Sequence, residues 1–236
     1  MKIPYDVHIH SVLSPCADRE NTINNIVNMA YIKGLKIISI TDHNACFNQR
    51  VAKKIAENLK ITYIPGIEVQ TKEEVHLLCY FRDVLSAEKF GLEIYNSLPN
   101  SKIDEELFGE QWICDENDKI IKKEERFLLN SSSFSIEDIY KMMIKYNGVL
   151  VPAHIDKNRY SIISQMGFIP LNWDIKTVEI SKLNDESYIK KIPFSKNYRI
   201  LRNSDAHRLS DINEPNYNIE LDENKIDAFI DKIREW

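Results

Sequence analysis

At 236 residues, 43% of them hydrophobic, the chain can bury one full core and need not divide, since α/β barrels of this length form single domains. A formal net charge of −5 gives no basic field, which excludes nucleic-acid binding driven by charge alone. No apolar run approaches the roughly 18 residues of a membrane span, the start (Met1-Lys2-Ile3-Pro4-Tyr5-Asp6) lacks the apolar stretch of a signal peptide, and Cys16, Cys46, Cys79 and Cys114 form no Cys-x-x-Cys pair. The expectation is a soluble cytoplasmic protein with no membrane partner, no stable nucleic-acid partner, no zinc ribbon and no disulfide scaffold.

In chain order, a first apolar segment closes on His8 and His10. A helix follows, carrying Ile23, Ile26, Val27 and Ala30 on one face, with Asn21 or Thr22 to cap it and Gly34 to end it. Residues 35–41 and 61–64 read as buried strands rich in β-branched residues, and 74–81 as a further strand-like run. Residues 99–131 break this rhythm: they are dense in charge, and Asp115-Glu116-Asn117-Asp118 predicts a hairpin turn between 111–114 and 119–121. This stretch is expected to be an insertion over one face of the domain, serving as a lid; as individual charges its residues read equally well as a solvated loop. Residues 135–146 place Ile136, Ile139, Tyr140, Met143 and Ile144 on one helical face, and strands are expected at 148–151, 177–180 and 198–201. Strand–helix alternation of this kind favours a parallel sheet or barrel.

All six histidines stand beside other metal-binding residue types, and most close an apolar run: Asp6-Val7-His8-Ile9-His10, Thr41-Asp42-His43, Val75-His76, Pro152-Ala153-His154 and Ser204-Asp205-Ala206-His207, with Gly66-Ile67-Glu68 among them. Alone, each has a plainer reading. A His-x-His is weak, Thr-Asp-His can be a capped turn, His76 an ordinary strand residue and His154 a core histidine. Together they point to a multi-metal site, because loops leaving the carboxyl ends of parallel strands converge on one face. In extended chain, positions i and i+2 point the same way, so His8 and His10 can grip one ion, and Asp205 with His207 can do likewise or face adjacent ions. A central glutamate can bridge two cations about 3.5–4 Å apart, and Glu68 is the candidate.

These motifs, together with Pro65-Gly66-Ile67-Glu68 and Val75-His76-Leu77-Leu78, resemble the successive motifs of the PHP (polymerase and histidinol phosphatase) superfamily, from near residue 5 to near residue 210. The resemblance implies a distorted (β/α)7 barrel holding two or three divalent ions, zinc, manganese or iron. It implies that His8, His10, Glu68 and Asp205 hold the first ion, Glu68, His76 and His154 the second, and His43 with His207 the third. The family often adds an Asp or His to the third site where this chain has Pro15 and Cys16, so Cys16 is either a thiolate ligand favouring a softer ion or a small buried residue. The implied activity is hydrolysis of a small phosphate ester, a phosphomonoester, nucleotide or short RNA, by metal-activated hydroxide. Asp205 would orient the water, His207 or a metal-bound water would protonate the leaving oxygen, and Asp42 would fix a ligating histidine's tautomer. Asn44 stands where nucleotide-acting relatives often carry another acid, and with Lys157 and Arg159 it is a candidate for substrate binding. Two alternatives remain: an amidohydrolase-like C–N or ester hydrolase using the same cluster, and a non-catalytic PHP scaffold.

Overall fold

A computed structural model describes residues 1–170, 173–181 and 198–235. Its strands are β1 (Lys2–Ile9), β2 (Ile37–Ile40), β3 (Thr62–Tyr63), β4 (Gly66–Gln70), β5 (His76–Tyr80), β6 (Trp112–Cys114), β7 (Ile120–Lys123), β8 (Val149–Pro152), β9 (Thr177–Ser181), β10 (Arg199–Asn203) and β11 (Asn218–Glu220). The helices are α1 (Ile23–Ile32), α2 (Gln49–Asn58), α3 (Val84–Ser97), α4 (Glu105–Phe108), α5 (Ile136–Lys145), α6 (Ile162–Met166) and α7 (Ile226–Arg234).

The strands form four ladders among the described residues: β11-β1-β2-β3, β4-β5-β8, β9-β10 and the hairpin β6-β7. β1, β2 and β3 run parallel, as do β9 and β10. Two strands depart from the expected parallel order: β11 pairs antiparallel with β1, and β5 pairs antiparallel with both β4 and β8. Only residues 71–75 separate β4 from β5. So short a link closes a hairpin and cannot make the dozen-residue crossover that parallel neighbours need. At the site end the ladders are joined by bridges, Ile9 with Ala206 and His43 with Glu68, and by the Ile155 amide donating to the Glu179 carbonyl at 2.9 Å.

Strand alternation sends side chains into two different cores. Leu78, Tyr80, Val149, Val151, Ile37 and Leu201 enter an inner cluster, which α7 closes from the far end with Phe229, Ile230 and Ile233. Their neighbours Leu77, Cys79, Phe81 and Leu150 face outward, under α3 and α5. Ile38 and Ile40 pack under α1 and α2. Both faces are therefore buried, and this is why these strands read as unbroken apolar runs.

The helix ends follow the local chemistry. Thr22 caps α1 by accepting from the Asn25 amide, while Asn21 donates its side chain to the His10 carbonyl at 2.9 Å. Gly34, at φ +79°, supplies the left-handed residue just beyond that helix. Ser135 and Asp138 form a reciprocal capping box on α5. Ile144 leaves the expected apolar face and is 65% exposed. It lies one residue beyond buried Met143, a rotation of about 100° around the helix.

The hairpin of residues 99–131 forms about the Asp115 turn, whose carboxylate accepts from the Asn117 and Lys119 amides. The segment is fastened at several points. The Trp112 amide donates to the Val12 carbonyl at 2.8 Å, Asn48 bonds the backbone of Trp112 and Cys114, and Leu128 joins Leu13, Ala45 and Leu98 in a small core. Among the described residues, no helix is long and apolar enough to cross a membrane.

Candidate metal centre

The residues singled out by motif meet at one end of the inner cluster. His8 lies within β1 and His10 just past it; His43 follows β2, His154 follows β8, and Asp205 and His207 follow β10. Glu68 sits in mid-β4, with Ile67 and Val69 facing the outer core and Glu68 itself facing inward beside Leu78. His76 opens β5, and the reversal of that strand brings its first residue level with Gln70 at the end of β4. Asn44, His154 and Asp205 take positive φ values of 52°, 28° and 51°, so three non-glycine residues with strained backbones follow three strands at this end.

Glu68, 1% exposed, is the hub. Its Oε1 lies 3.1 Å from His76 Nδ1, 3.3 Å from His8 Nε2 and 3.4 Å from His154 Nε2. Its Oε2 lies 3.1 Å from His43 Nδ1 and 3.4 Å from His10 Nε2. Asp205 Oδ1 adds contacts of 3.2 Å to His8 Nε2 and 3.1 Å to His10 Nε2, and those two nitrogens are 3.2 Å apart. Yet neither Glu68 oxygen has a hydrogen bond of acceptable geometry, nor do Nδ1 of His43 and His76. Buried polar atoms left so close without bonding are costly unless something else satisfies them.

A cation does so. Tetrahedral coordination at bond lengths of about 2.0–2.1 Å puts ligand atoms about 3.3–3.4 Å apart, close to the spacing seen here. Imidazole and carboxylate donors also suit zinc, iron or manganese. Among the described residues, three sets of donor atoms each fall within 4.8 Å of one another: His8, His10 and Glu68; His43, Glu68 and His76; and His10, Cys16, His43 and His207. His43 thus faces both the hub and the outer group. His154 approaches Glu68 but is in none of the three sets.

The charges are mutually arranged. Burial disfavours ionised Glu68, but His76, His8 and His43 hold its carboxyl well below the usual range. Burial likewise opposes ionisation of Asp205, which His8 and His10 outweigh. Burial and then His207 bring His10 down to about 4, and burial with His10 keeps His43 well below its ordinary value. Both rings are thereby neutral at pH 7, as ligands must be.

The remaining candidates have distinct surroundings. Asp42 accepts from the Ser11 amide and hydroxyl at 2.7 and 2.6 Å and from the Ser14 hydroxyl at 2.7 Å. It reaches a cluster histidine only through Ser14, whose oxygen accepts from His10 Nδ1 at 3.2 Å. Asn44 is fully buried; its amide donates to the Leu128 and Asn130 carbonyls, and its oxygen accepts from the Gln70 amide at 2.9 Å. Its bonds tie the 128–130 segment to β4. Asn44→Ala is expected to destabilise the protein by about 1–3 kcal/mol, the cost of orphaning buried backbone groups, with urea unfolding as the check. Lys157 pairs with Asp205 Oδ2 and is 42% exposed, whereas Arg159 is exposed and makes no ion pair among the described residues. The Cys16 residue is exposed as a whole, but its sulfur faces His10, His43 and His207, and burial of the thiol together with nearby Glu68 and Asp205 raises its pKa.

Sequence reasoning passed over Glu179, Ser14 and Gln70. Glu179, 1% exposed, contacts His8 Nδ1, and Gln70 Oε1 lies 3.3 Å from His76 Nε2. One signal was present for Glu179: Val178 and Ile180 face the outer core, so the acid between them faces inward, as Glu68 does between Ile67 and Val69. Ser14 and Gln70 carry no comparable signature.

Fold and donor cluster together define an α/β protein built to hold metal ions in a histidine–carboxylate centre. The family model of the PHP domain matches residues 6–175, and the chain belongs to that family. Among solved structures it is similar to the lesion-specific endonuclease Q of Pyrococcus furiosus, at 18% identity and a TM-score of 0.73 over 99% of this chain and 56% of that one. The chain thus spans little more than half of that enzyme. It is also similar to a candidate metal-dependent phosphoesterase from Bifidobacterium adolescentis (15% identity, TM-score 0.61, 98% and 95% of the two chains). An amidohydrolase from Chromobacterium violaceum with bound sulfate and no metal matches at 16% identity and a TM-score of 0.58, over 94% and 93%. No curated protein matches the sequence.

Proposed function

We propose that the chain is a metal-dependent hydrolase of phosphate esters, built as a distorted (β/α)7 barrel with the centre at the carboxyl ends of its strands. The observation that carries this is Glu68: one buried carboxylate, both oxygens unsatisfied, within 3.1–3.4 Å of five imidazoles. By analogy with the family, His8, His10, Glu68 and Asp205 would hold one cation, Glu68, His76 and His154 a second, and His43 with His207 a third, which Cys16, where the family often has Asp or His, would join from beside them. When bound, divalent ions supply a lowered pKa for coordinated water and neutralisation of phosphoryl oxygens.

The chain's own residues do the rest. Asp205, with one oxygen toward His8 and His10 and the other on Lys157, lies where it can orient an attacking water. Lys157 keeps its charge at neutral pH, since Asp205 outweighs the effect of its burial, and with Arg159 it offers cations to a phosphate at the mouth. His207 can serve either the outer cation or the leaving oxygen. Its ring stacks on His10 at 4.5 Å and faces Cys16, which favours the ligand role. Asn44, with its amide already engaged, acts on substrate only by supporting the wall at 128–130. Residues 99–131 serve as that fixed wall beside the mouth more readily than as a moving lid.

A panel of phosphomonoesters, phosphodiesters, aryl amides and aryl esters, with an abasic duplex for comparison with endonuclease Q, tests the reading in zinc, manganese and iron. Turnover of phosphate esters above amides supports it; turnover of amides alone would replace it by the amidohydrolase alternative. Cys16→Ser is expected to lower occupancy of one ion while sparing the others, measured by elemental analysis. An unaltered count would return Cys16 to a packing role.

A further inference from the structure

Glu179 is buried against the donor cluster without joining any of its donor sets. Its two oxygens lie 2.9 and 3.0 Å from His8 Nδ1. The same carboxylate accepts from the His154 amide at 2.8 Å and from Asn203 Nδ2 at 2.7 Å, and Asn203 Oδ1 accepts from the Val7 amide at 3.1 Å. Three segments that carry proposed ligands, those of His8, His154 and Asp205, are therefore fastened to one acid.

A carboxylate that accepts from His8 Nδ1 keeps a proton on that nitrogen, so when a cation displaces any second proton it is the other nitrogen that offers its lone pair. That atom, Nε2, is the one lying 3.2 Å from His10 Nε2, 3.2 Å from Asp205 Oδ1 and 3.3 Å from Glu68 Oε1. His10 differs in kind, because its Nδ1 is held by the neutral Ser14 hydroxyl.

We propose that Glu179 is a positioning residue for the first cation site: it fixes His8 in the Nδ1–H tautomer, makes Nε2 the stronger donor, and so sets the affinity of that site. The inference rests on the metal-centre reading above. A merely structural Glu179 would instead only close the seam where β8, β9 and β10 meet.

The test compares wild type, Glu179→Gln and Asn203→Ala, each loaded with zinc and titrated against a chelator, with circular dichroism to follow folding. Glu179→Gln keeps the shape, removes the charge and turns an amide NH2 toward at least one N–H donor. It is expected to lower affinity for one zinc ion by about 10–100-fold, the range for losing such an outer partner. Asn203→Ala removes one of the bonds that hold Glu179 but leaves the carboxylate itself on His8 Nδ1, and is expected to lose clearly less zinc affinity than Glu179→Gln. Proton–nitrogen NMR of zinc-loaded wild type supplies a second readout, independent of any variant's folding, and should show His8 protonated on Nδ1. An Nε2–H tautomer, unchanged zinc affinity in Glu179→Gln, or equal losses in both variants would overturn the inference while leaving the metal centre standing. A wild type that binds no zinc would overturn both.

Discussion

Glu68→Gln is expected to lower kcat by at least 10²–10³-fold, on the order seen when one preorganised electrostatic group is removed. The carboxylate stands between two proposed cations, so its amide analogue loses the charge and one of the two ligating oxygens. The same substitution should do something unusual to the metal-free protein. An amide NH2 can donate to a ring nitrogen that now faces Glu68 without a bond, Nδ1 of the neutral His43. The chelated variant is therefore expected to melt no lower than chelated wild type, while gaining much less on addition of zinc. Turnover unchanged from wild type would remove Glu68 from the chemistry.

Chelation of the wild-type protein is expected to lower Tm substantially. Five imidazoles and two carboxylates drawn together at the centre are held by the tertiary fold alone once cations leave, with several buried atoms unsatisfied. A site filled at about 1,000 times its Kd contributes about 4 kcal/mol. For a chain of this size that corresponds to about 8–16 °C per site. Differential scanning calorimetry with a chelator, then with excess zinc or manganese, reads the shift directly. A Tm independent of both would mean that the cluster is satisfied without metal.

Much of the centre was legible in the sequence because strand geometry is local. His8 and His10 share a face by alternation, His43 and His154 follow runs rich in β-branched residues, and Asp205 follows the short Ile200-Leu201 pair, all of which favour strands. The bounds of α1 were likewise readable from Thr22 and Gly34, whose cap chemistry acts over a few residues, and the span of α5 from its apolar stripe over 135–146.

What escaped was set by pairing partners. Nothing within 74–81 says which way β5 runs; the five-residue link from β4 decides it, and the reversal brings His76 to the site from the start of a strand. Glu179 read as one acid in an apolar run, since its meaning depends on His8, 171 residues away. Ile144 fitted a generous helical stripe, but the actual interface of α5 is narrower, ending at Met143. Asn44 drew attention for following His43, and its amide is spent on the 128–130 backbone, an arrangement no motif encodes.

The most direct measurement is the metal content of the purified chain, by elemental mass spectrometry after growth in zinc, manganese and iron. Glu68 as a bridge between cations predicts at least two ions per molecule, with binding of the second lost in Glu68→Gln. One ion or none, in every metal supplied, would contradict the account.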